Sequence, residues 1–147
     1  MADTIQRVQY FYAEVPDKPG ESSRLLSLFK EEGVNLLAFT GFPKGRRAQV
    51  DFFPADPAAF KAAAKKAKLK LVGPKTGFLI QGDDRVGALA DIITKLAAAN
   101  INITAVDAVS AGAGRYGALL WVKPRYVNKA AQLLGAVSAD QSQQQPL

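Results

Sequence analysis

Cysteine and histidine are both absent from this chain of 147 residues, which has a single tryptophan and a single methionine. Without cysteine there is no disulfide framework, thiolate nucleophile or zinc–thiolate site. Without histidine the most common general base and the usual imidazole metal ligand are missing, so a Ser-His-Asp triad is excluded. These absences argue against an enzyme, and we expect neither a metal nor a cofactor.

The chain also lacks any apolar run approaching the ~20 residues that a membrane-spanning helix needs. Its N-terminal stretch, MADTIQRVQY, lacks the hydrophobic core of a signal peptide. We therefore expect a cytoplasmic protein without membrane contact. The content of 48% hydrophobic and 22% charged residues is typical of a globular protein, with one domain or two small ones.

The formal net charge is +6, and much of the basic excess lies in the segment KAAAKKAKLK at 61–70. Lys61, Lys65 and Lys68 fall on one face of a predicted helix, which favours an ordinary solvated surface. A nucleic-acid surface is less favoured because no aromatic side chains alternate with these lysines to stack on bases. We expect no nucleic-acid partner.

An internal repeat appears when the chain is aligned with itself at an offset of 67 residues. Apolar positions coincide along the alignment, and so do three pairs of polar or glycine positions. These pairs are Asp17 with Asp84, Gly20 with Gly87, and Asn35 with Asn102. The sequence therefore predicts two repeats, 1–72 and 73–147, with a polar tail from about 138.

Each repeat has the pattern of a β-α-β-β-α-β unit. In the first, the predicted strands are 6–15, 34–42, 48–53 and 69–72; one helix spans 19–32 and a second begins at Pro57, with Asp56 as N-cap. In the second, the predicted strands are 77–81, 101–110 and 116–122, the predicted helices are 86–99 and 124–134, and the last strand has only weak support. This order predicts an α+β protein of two ferredoxin-like units, each an antiparallel sheet with both helices on one face.

The predicted strands are apolar on both sides, although a sheet that is wet on one face should alternate more cleanly. Leu119 and Trp121 point to one side of their strand, whereas Leu120 and Val122 point to the other. We expect the second sheet face to be covered by the other repeat, by another subunit, or by both.

The segment GAGRYG, at 112–117, matches the G-x-G-x-x-G pattern of dinucleotide-binding loops. That pattern requires a strand before it and a helix after it, because the helix N-terminus receives the pyrophosphate. Here a second strand follows. The glycines are therefore predicted to serve a hairpin loop that needs positive φ.

Two interpretations remain open for the repeated Asp, Gly and Asn positions. In a structural interpretation, Asp17 and Asp84 cap the helices that follow, and the two asparagines tie down the helix-to-strand loops. In a functional one, amides at the helix N-terminus bind a carboxylate while Asp and Asn accept from an ammonium group. A free α-amino acid needs this combination of donors and acceptors.

The segments PDKPGESSRLLSLFKEEGVNLLAF and GDDRVGALADIITKLAAANINITAV resemble the signature of the ACT domain family, with Val86 in place of proline in the second. The resemblance covers nearly the whole chain and implies two tandem βαββαβ modules without an attached catalytic domain. ACT domains bind amino acids between two domains and control enzymes allosterically. The resemblance therefore implies a free amino-acid ligand, a regulated enzyme as partner, and a homo-oligomer, in the simplest case a dimer.

The resemblance also implies which residues contact the ligand. In the first loop these are Asp17, Lys18, Pro19 and Gly20, facing Asn102; in the second they are Asp84, Arg85, Val86 and Gly87, facing Asn35. The alternative function is a protein–protein interaction module without a small ligand, in which an aromatic sheet face makes the contact. Catalysis involving Tyr116 and Arg115 is the remaining alternative, and no convergent set of residues supports it.

Overall fold

The computed structural model describes residues 3–138, which divide into two compact units. The first unit comprises residues 9–75. The second unit comprises residues 3–8 and 76–138 of the described chain. Most of the predicted polar tail therefore lies outside the described residues. The predicted first repeat includes the N-terminal residues, whereas in the structure residues 3–8 belong to the second unit. The repeat boundaries themselves stay a prediction.

Two long strands contribute to both units. Strand β1 spans Thr4–Pro16 and β4 spans Val72–Asp83. The separate strands predicted at 69–72 and 77–81 are wrong, because β4 is continuous. Gly73 has a φ of +138°, and a Cβ there would lie 2.9 Å from the Phe11 ring, so the glycine admits a close approach of β1 and β4 within the first unit.

The first unit folds as a β-α-β-β-α-β module with the strand order β2-β3-β1-β4. Its remaining elements are α1 (Glu21–Glu31), β2 (Leu36–Lys44), β3 (Arg47–Pro54) and α2 (Pro57–Lys66). Strands β1 and β2 both run antiparallel to β3. This is the predicted ferredoxin-like α+β arrangement, and it is confirmed.

Local chemistry explains where these helices begin and end. The Asp56 side chain accepts from the amides of Ala58 and Ala59 at 3.1 and 3.2 Å, so it is the N-cap of α2, with Pro57 in the first helical position. Gly33, with a φ of +71°, follows the last residues of α1 in the left-handed conformation that ends many helices.

The core of the first unit is built mainly from phenylalanine. Phe60 of α2 stacks on Phe29 of α1 with ring centroids 4.4 Å apart and on Phe11 of β1 at 5.2 Å, and it also contacts Phe52 of β3. All four rings are fully buried. Both helices therefore pack on the same face of the sheet.

The second unit has the strand order β5-β6-β4-β1, with the short β7 paired to β1 in parallel. Its remaining elements are α3 (Ala90–Ala98), β5 (Ile103–Gly112), β6 (Arg115–Val122), a 3₁₀ turn (Pro124–Tyr126), α4 (Val127–Leu134) and β7 (Val137–Ser138). The place beside β4 that a final strand takes in a ferredoxin-like unit is held by residues 4–8 of β1. This explains why the C-terminal strand signal is weak.

The core of the second unit is largely aliphatic. Ile92 and Leu96 of α3 and Leu134 of α4 pack on Ile80 and Leu120 of the sheet. Ile5 of β1 belongs to the same core, which ties the N-terminal residues to this unit. On the sheet face opposite the helices, three apolar side chains are also buried, as the two-sided apolar pattern predicted: Leu79, Leu119 and Trp121.

The hairpin between β5 and β6 holds the glycine-rich segment. Gly112, Ala113 and Gly114 all have positive φ, and β6 follows at Arg115. No helix begins there, so the prediction of a hairpin rather than a dinucleotide loop is confirmed.

Candidate functional site

The first candidate loop, Asp17 to Gly20, connects β1 to α1 and is exposed throughout. The Lys18 amide donates to the carbonyl oxygen of Pro16 at 3.0 Å, which closes a tight turn. Gly20 is the N-cap of α1 and has a φ of +93°. The structural interpretation, in which Asp17 caps this helix, is wrong, because Gly20 is the N-cap residue and no described side chain caps the helix.

The start of α1 has the properties of an anion-binding end. The first helical hydrogen bond runs from the Arg24 amide to the Gly20 carbonyl at 2.9 Å, so the three amides between them have no intrahelical acceptor. Open space surrounds the Gly20 α-carbon, where an added Cβ would meet nothing within 4 Å. Unpaired amides and the positive helix end together favour a carboxylate at this place.

The two asparagines lie immediately before strands rather than inside them. Asn35 precedes Leu36, the first residue of β2, and Asn102 precedes Ile103, the first residue of β5. The Asn35 carbonyl accepts from the Ala55 amide at 3.0 Å. Within residues 3–138 neither asparagine side chain makes a hydrogen bond, so the predicted tie between side chain and loop is wrong. Both side chains are exposed.

Asn35 lines a shallow groove of about 430 Å³ in the first unit. The groove runs between the C-terminal half of α1 and the start of β2. Its other lining residues are Leu26, Phe29, Lys30, Gly33, Val34 and Leu36. The groove is open to solvent, and it presents the Asn35 amide and the Lys30 ammonium together with apolar side chains.

The second candidate loop, Asp84 to Gly87, connects β4 to α3 and differs from the first. Helix α3 begins at Ala90, four residues later than predicted, and its N-cap residue Leu89 offers no side-chain acceptor. Two short turns precede the helix. The Ala88 amide donates to the Arg85 carbonyl oxygen, and the Ala90 amide donates to the Gly87 carbonyl oxygen. The structural interpretation, in which Asp84 caps this helix, is therefore wrong.

Asp84 is held by the β5–β6 hairpin instead. The Ser110 hydroxyl donates to Asp84 Oδ2 at 3.2 Å, and the Asp84 amide donates to the Gly114 carbonyl at 2.8 Å. Val86, which stands where the first loop has proline, is fully exposed. The second loop is thus tied to its own hairpin, whereas the first loop has no such hydrogen bond within residues 3–138.

Arg85 forms a two-pronged ion pair with Asp3, a residue that sequence reasoning did not select. Its Nη1 and Nη2 atoms donate to the two carboxylate oxygens of Asp3 at 3.2 and 3.1 Å, and Nη1 also donates to the Asp83 carbonyl at 2.9 Å. These bonds hold the pKa of Asp3 below its ordinary value, against the opposing effect of burial. Asp3 lies far from Arg85 in sequence, so no local pattern could have identified the pair.

Within one unit the loop and the asparagine lie at opposite ends of a helix. Helix α1 has 11 residues, which corresponds to a length of roughly 16 Å. One unit therefore does not bring Asp17 and Asn35 together. The predicted pairs, Asp17 with Asn102 and Asp84 with Asn35, each join residues of different units and stay predictions.

Other chemistry finds little support in the described chain. Residues 3–138 contain no group of three or more His, Cys, Asp or Glu side chains that could hold a metal ion. Arg115 pairs with Asp83 at 2.8 Å, while the Tyr116 side chain points into the core, so these neighbours do not converge. None of the described helices is long and apolar enough to cross a membrane.

The first unit has a β-α-β-β-α-β fold, and comparisons with known proteins find solved structures of similar fold. No family model and no curated protein matches the chain. Among solved structures, protein BT0572 from Bacteroides thetaiotaomicron is similar, with a TM-score of 0.75 and 15% identity over 90% of this chain and 88% of that one.

Regulatory subunits of aspartate kinase are also similar. The ligand-free subunit from Thermus thermophilus has a TM-score of 0.61 and 16% identity, covering 92% of this chain and 95% of its own. The subunit from Thermus flavus has a TM-score of 0.56 and 15% identity, covering 91% and 94%. At such identities the likeness establishes a shared α+β fold.

Proposed function

We propose that this protein is a cytoplasmic regulatory protein that binds a free amino acid and thereby controls an enzyme of amino-acid metabolism. Its fold is shared with subunits described as regulatory in aspartate kinase, which supports this class of function. Binding rather than catalysis is also the function that suits a chain without histidine or cysteine.

The observation that carries the proposal is the set of unpaired polar groups at the first loop and at the two asparagines. The helix start has no capping side chain, and Asp17 makes no hydrogen bond or ion pair within the described residues. The amides of Asn35 and Asn102 are equally unused there. All of these groups are exposed to solvent, so a ligand can bind them without breaking a hydrogen bond within the described part of the protein.

The two charges of an amino acid match these groups. Its carboxylate accepts from the amides that precede Arg24, where the positive helix end favours an anion. Its ammonium donates to the Asp17 carboxylate and to the amide oxygen of an asparagine from a second ACT-like module.

Regulation requires more than binding. A ligand shifts a partner between two states only by its differential affinity for them. We propose that the chain acts as a homodimer and that amino-acid binding favours one arrangement of the bound enzyme. Sedimentation with and without the amino acid tests the assembly.

Calorimetric titration of the intact protein against the twenty amino acids tests the proposal directly. We expect one of them to bind at concentrations up to about millimolar, the range of metabolite sensing. Asn102→Ala and Asp17→Asn should weaken binding by about tenfold or more, because each removes a charge-assisted hydrogen bond. Asn128→Ala, at an exposed asparagine that bonds only Arg7 among the described residues, is the matched control. Absence of heat with all twenty would contradict the proposal.

The interaction-module alternative receives less support. It places a protein contact on the aromatic sheet face, where Tyr10 and Phe53 already stack with centroids 4.9 Å apart and Phe53 is fully buried. Under that alternative Asn102→Ala would leave partner capture intact. Loss of amino-acid response in that variant, with an unchanged unfolding transition, would favour the sensing function.

A further inference from the structure

The Asp3–Arg85 ion pair has the geometry of a bound carboxylate. Both oxygens of one carboxylate meet two nitrogens of one guanidinium, which is the arrangement by which arginine recognises carboxylate ligands. The Asp3 side chain is only 11% exposed, although it lies near the chain terminus, while Arg85 is 43% exposed. Arg85 is thus accessible from solvent on one side and paired within the protein on the other.

The surroundings of Asp3 form a cradle for this carboxylate. A Cβ at Gly82 would collide with Asp3 Oδ1 and come within 2.9 Å of the Tyr116 ring. Tyr116 is buried, and its hydroxyl lies close enough to Asp3 to contribute to lowering the pKa of that carboxyl. The Tyr116 side chain therefore forms part of the wall of this cradle, beside the Asp3 carboxylate.

The equivalent place in the first unit has no such cradle. Gly82 pairs with Tyr116 one position before the end of the β4–β6 pairing. The same position in the β1–β3 pairing of the first unit is held by Val15 and Ala48. Val15 is packed into the apolar core, which leaves no room for a carboxylate. The small residue at Gly82 is therefore specific to the second unit, where it makes room for Asp3.

We infer that the second unit contains a carboxylate-binding site, formed by Arg85, Gly82 and Tyr116, which the chain's own Asp3 occupies as an internal ligand. This inference rests on the proposed function in one respect: the external ligand would be the carboxylate of a free amino acid. The exposed Asp84, next to Arg85, supplies an acceptor for the ammonium group, with Ser110 bound to one of its oxygens.

Internal occupation has a consequence for affinity. A carboxylate tethered on β1 competes at an effective concentration on the order of millimolar or more. An amino acid therefore binds the second unit of the wild-type protein only by displacing Asp3. The apparent affinity for the amino acid is reduced, because only the fraction of molecules in which Asp3 has left the site can bind it. The two loops of one chain consequently differ in ligand occupancy at the same amino-acid concentration.

Formate is the probe for the carboxylate position itself. Asp3→Ala removes one carboxylate group from the cradle, and formate has the size and charge of the missing group. We expect sodium formate to raise the melting temperature of Asp3→Ala saturably at constant ionic strength and to leave the wild type unchanged. Glu32→Ala, which removes the partner of Lys66 at an exposed ion pair, is the matched control and should not respond. An equal response in both variants, or none in Asp3→Ala, would overturn the inference.

Amino-acid stoichiometry is the second readout and separates the two proposals. With the same twenty amino acids, we expect Asp3→Ala to bind one more equivalent per chain than the wild type. If the wild type binds one and the variant also binds one, the internal-ligand inference fails and the proposed function stands. If the wild type binds none and the variant binds one, the inference stands and the first-loop site fails.

A second variant protects the test against a folding defect. Asp3→Asn keeps the side-chain volume but cannot pair with both guanidinium nitrogens as a carboxylate does. It should release Arg85 partly and raise the apparent affinity of the second unit for the amino acid by about tenfold. If neither Asp3 variant binds more amino acid than the wild type, the Asp3–Arg85 ion pair only stabilises the position of β1, and the inference is refuted.

Discussion

The two loops that link a strand to the first helix of each unit began as matching sequence segments and have become different structures. In the first unit the loop ends at Gly20, the helix starts without a capping side chain, and Asp17 contacts no partner among the described residues. In the second unit Asp84 and Arg85 are bonded to Ser110 and Asp3, and the helix starts only at Ala90. The comparison teaches that an aligned motif need not keep the same helix start, and that long-range partners decide whether its side chains are available.

The cores of the two units provide the largest expected difference. Phe60→Ala removes a fully buried ring that contacts three other phenylalanines, and it should lower the free energy of unfolding by about 3–5 kcal/mol. Leu96→Ala in the aliphatic core of the second unit should cost about 2–5 kcal/mol. Urea unfolding of both variants measures the difference, with Val86→Ala at a fully exposed position as the control. A loss below about 1 kcal/mol for Phe60→Ala would contradict the packing described.

Gly82→Ala should have the next largest effect, because it tests the cradle found only in the second unit. The added methyl group would displace Asp3 and press on the Tyr116 ring, at an expected cost of about 1–3 kcal/mol. In the Asp3→Ala background the cost should fall, since one of the two collisions is gone. A double-mutant cycle of unfolding free energies checks this coupling, and strict additivity would argue against the contact.

A smaller effect separates a true cap from a free carboxylate. Asp56→Ala removes two hydrogen bonds to the start of α2 and should cost about 1 kcal/mol. Asp17→Ala removes none among the described residues and should change stability by less than about 0.5 kcal/mol. Thermal unfolding of both variants measures the two losses of stability. Equal losses would indicate that Asp17 has a structural role.

The smallest expected effects concern pH and have opposite signs in the two units. Asp3 has a lowered pKa because of Arg85, so its stabilising effect is present at neutral pH and is lost as pH falls through that lowered value. Burial raises the pKa of Asp51 in the first unit, and the hydrogen bond from Gln49 offsets this only partly. Ionisation of Asp51 therefore costs stability as pH rises through its folded-state pKa.

Unfolding of Asp3→Asn and Asp51→Asn across the acidic range checks these signs. Asp3→Asn should be less stable than wild type at neutral pH, and this difference in unfolding free energy should shrink as pH falls. The unfolding free energy of Asp51→Asn relative to wild type should increase as pH rises. Parallel curves for the two variants would contradict the opposite environments of these carboxyls.

Local patterns predicted most of the fold and the outline of the first loop. Asp56 with Pro57 identified the start of α2, and alternating apolar residues identified the strands. The continuity of β4 could not be predicted, because Gly73 and Pro74 look like a turn unless β1 is known to lie against them. The Asp3–Arg85 pair escaped detection for the same reason, since its partners meet only through the pairing of distant strands.

The number of amino-acid molecules bound per chain is the measurement that tests the central claim most directly. Calorimetry should find one equivalent for the wild-type protein in the ligand's working range, with that binding lost in Asp17→Asn, because the first loop is open and the second is filled by Asp3. No binding of any amino acid to the wild type, or binding unaffected by Asp17→Asn, would contradict the account.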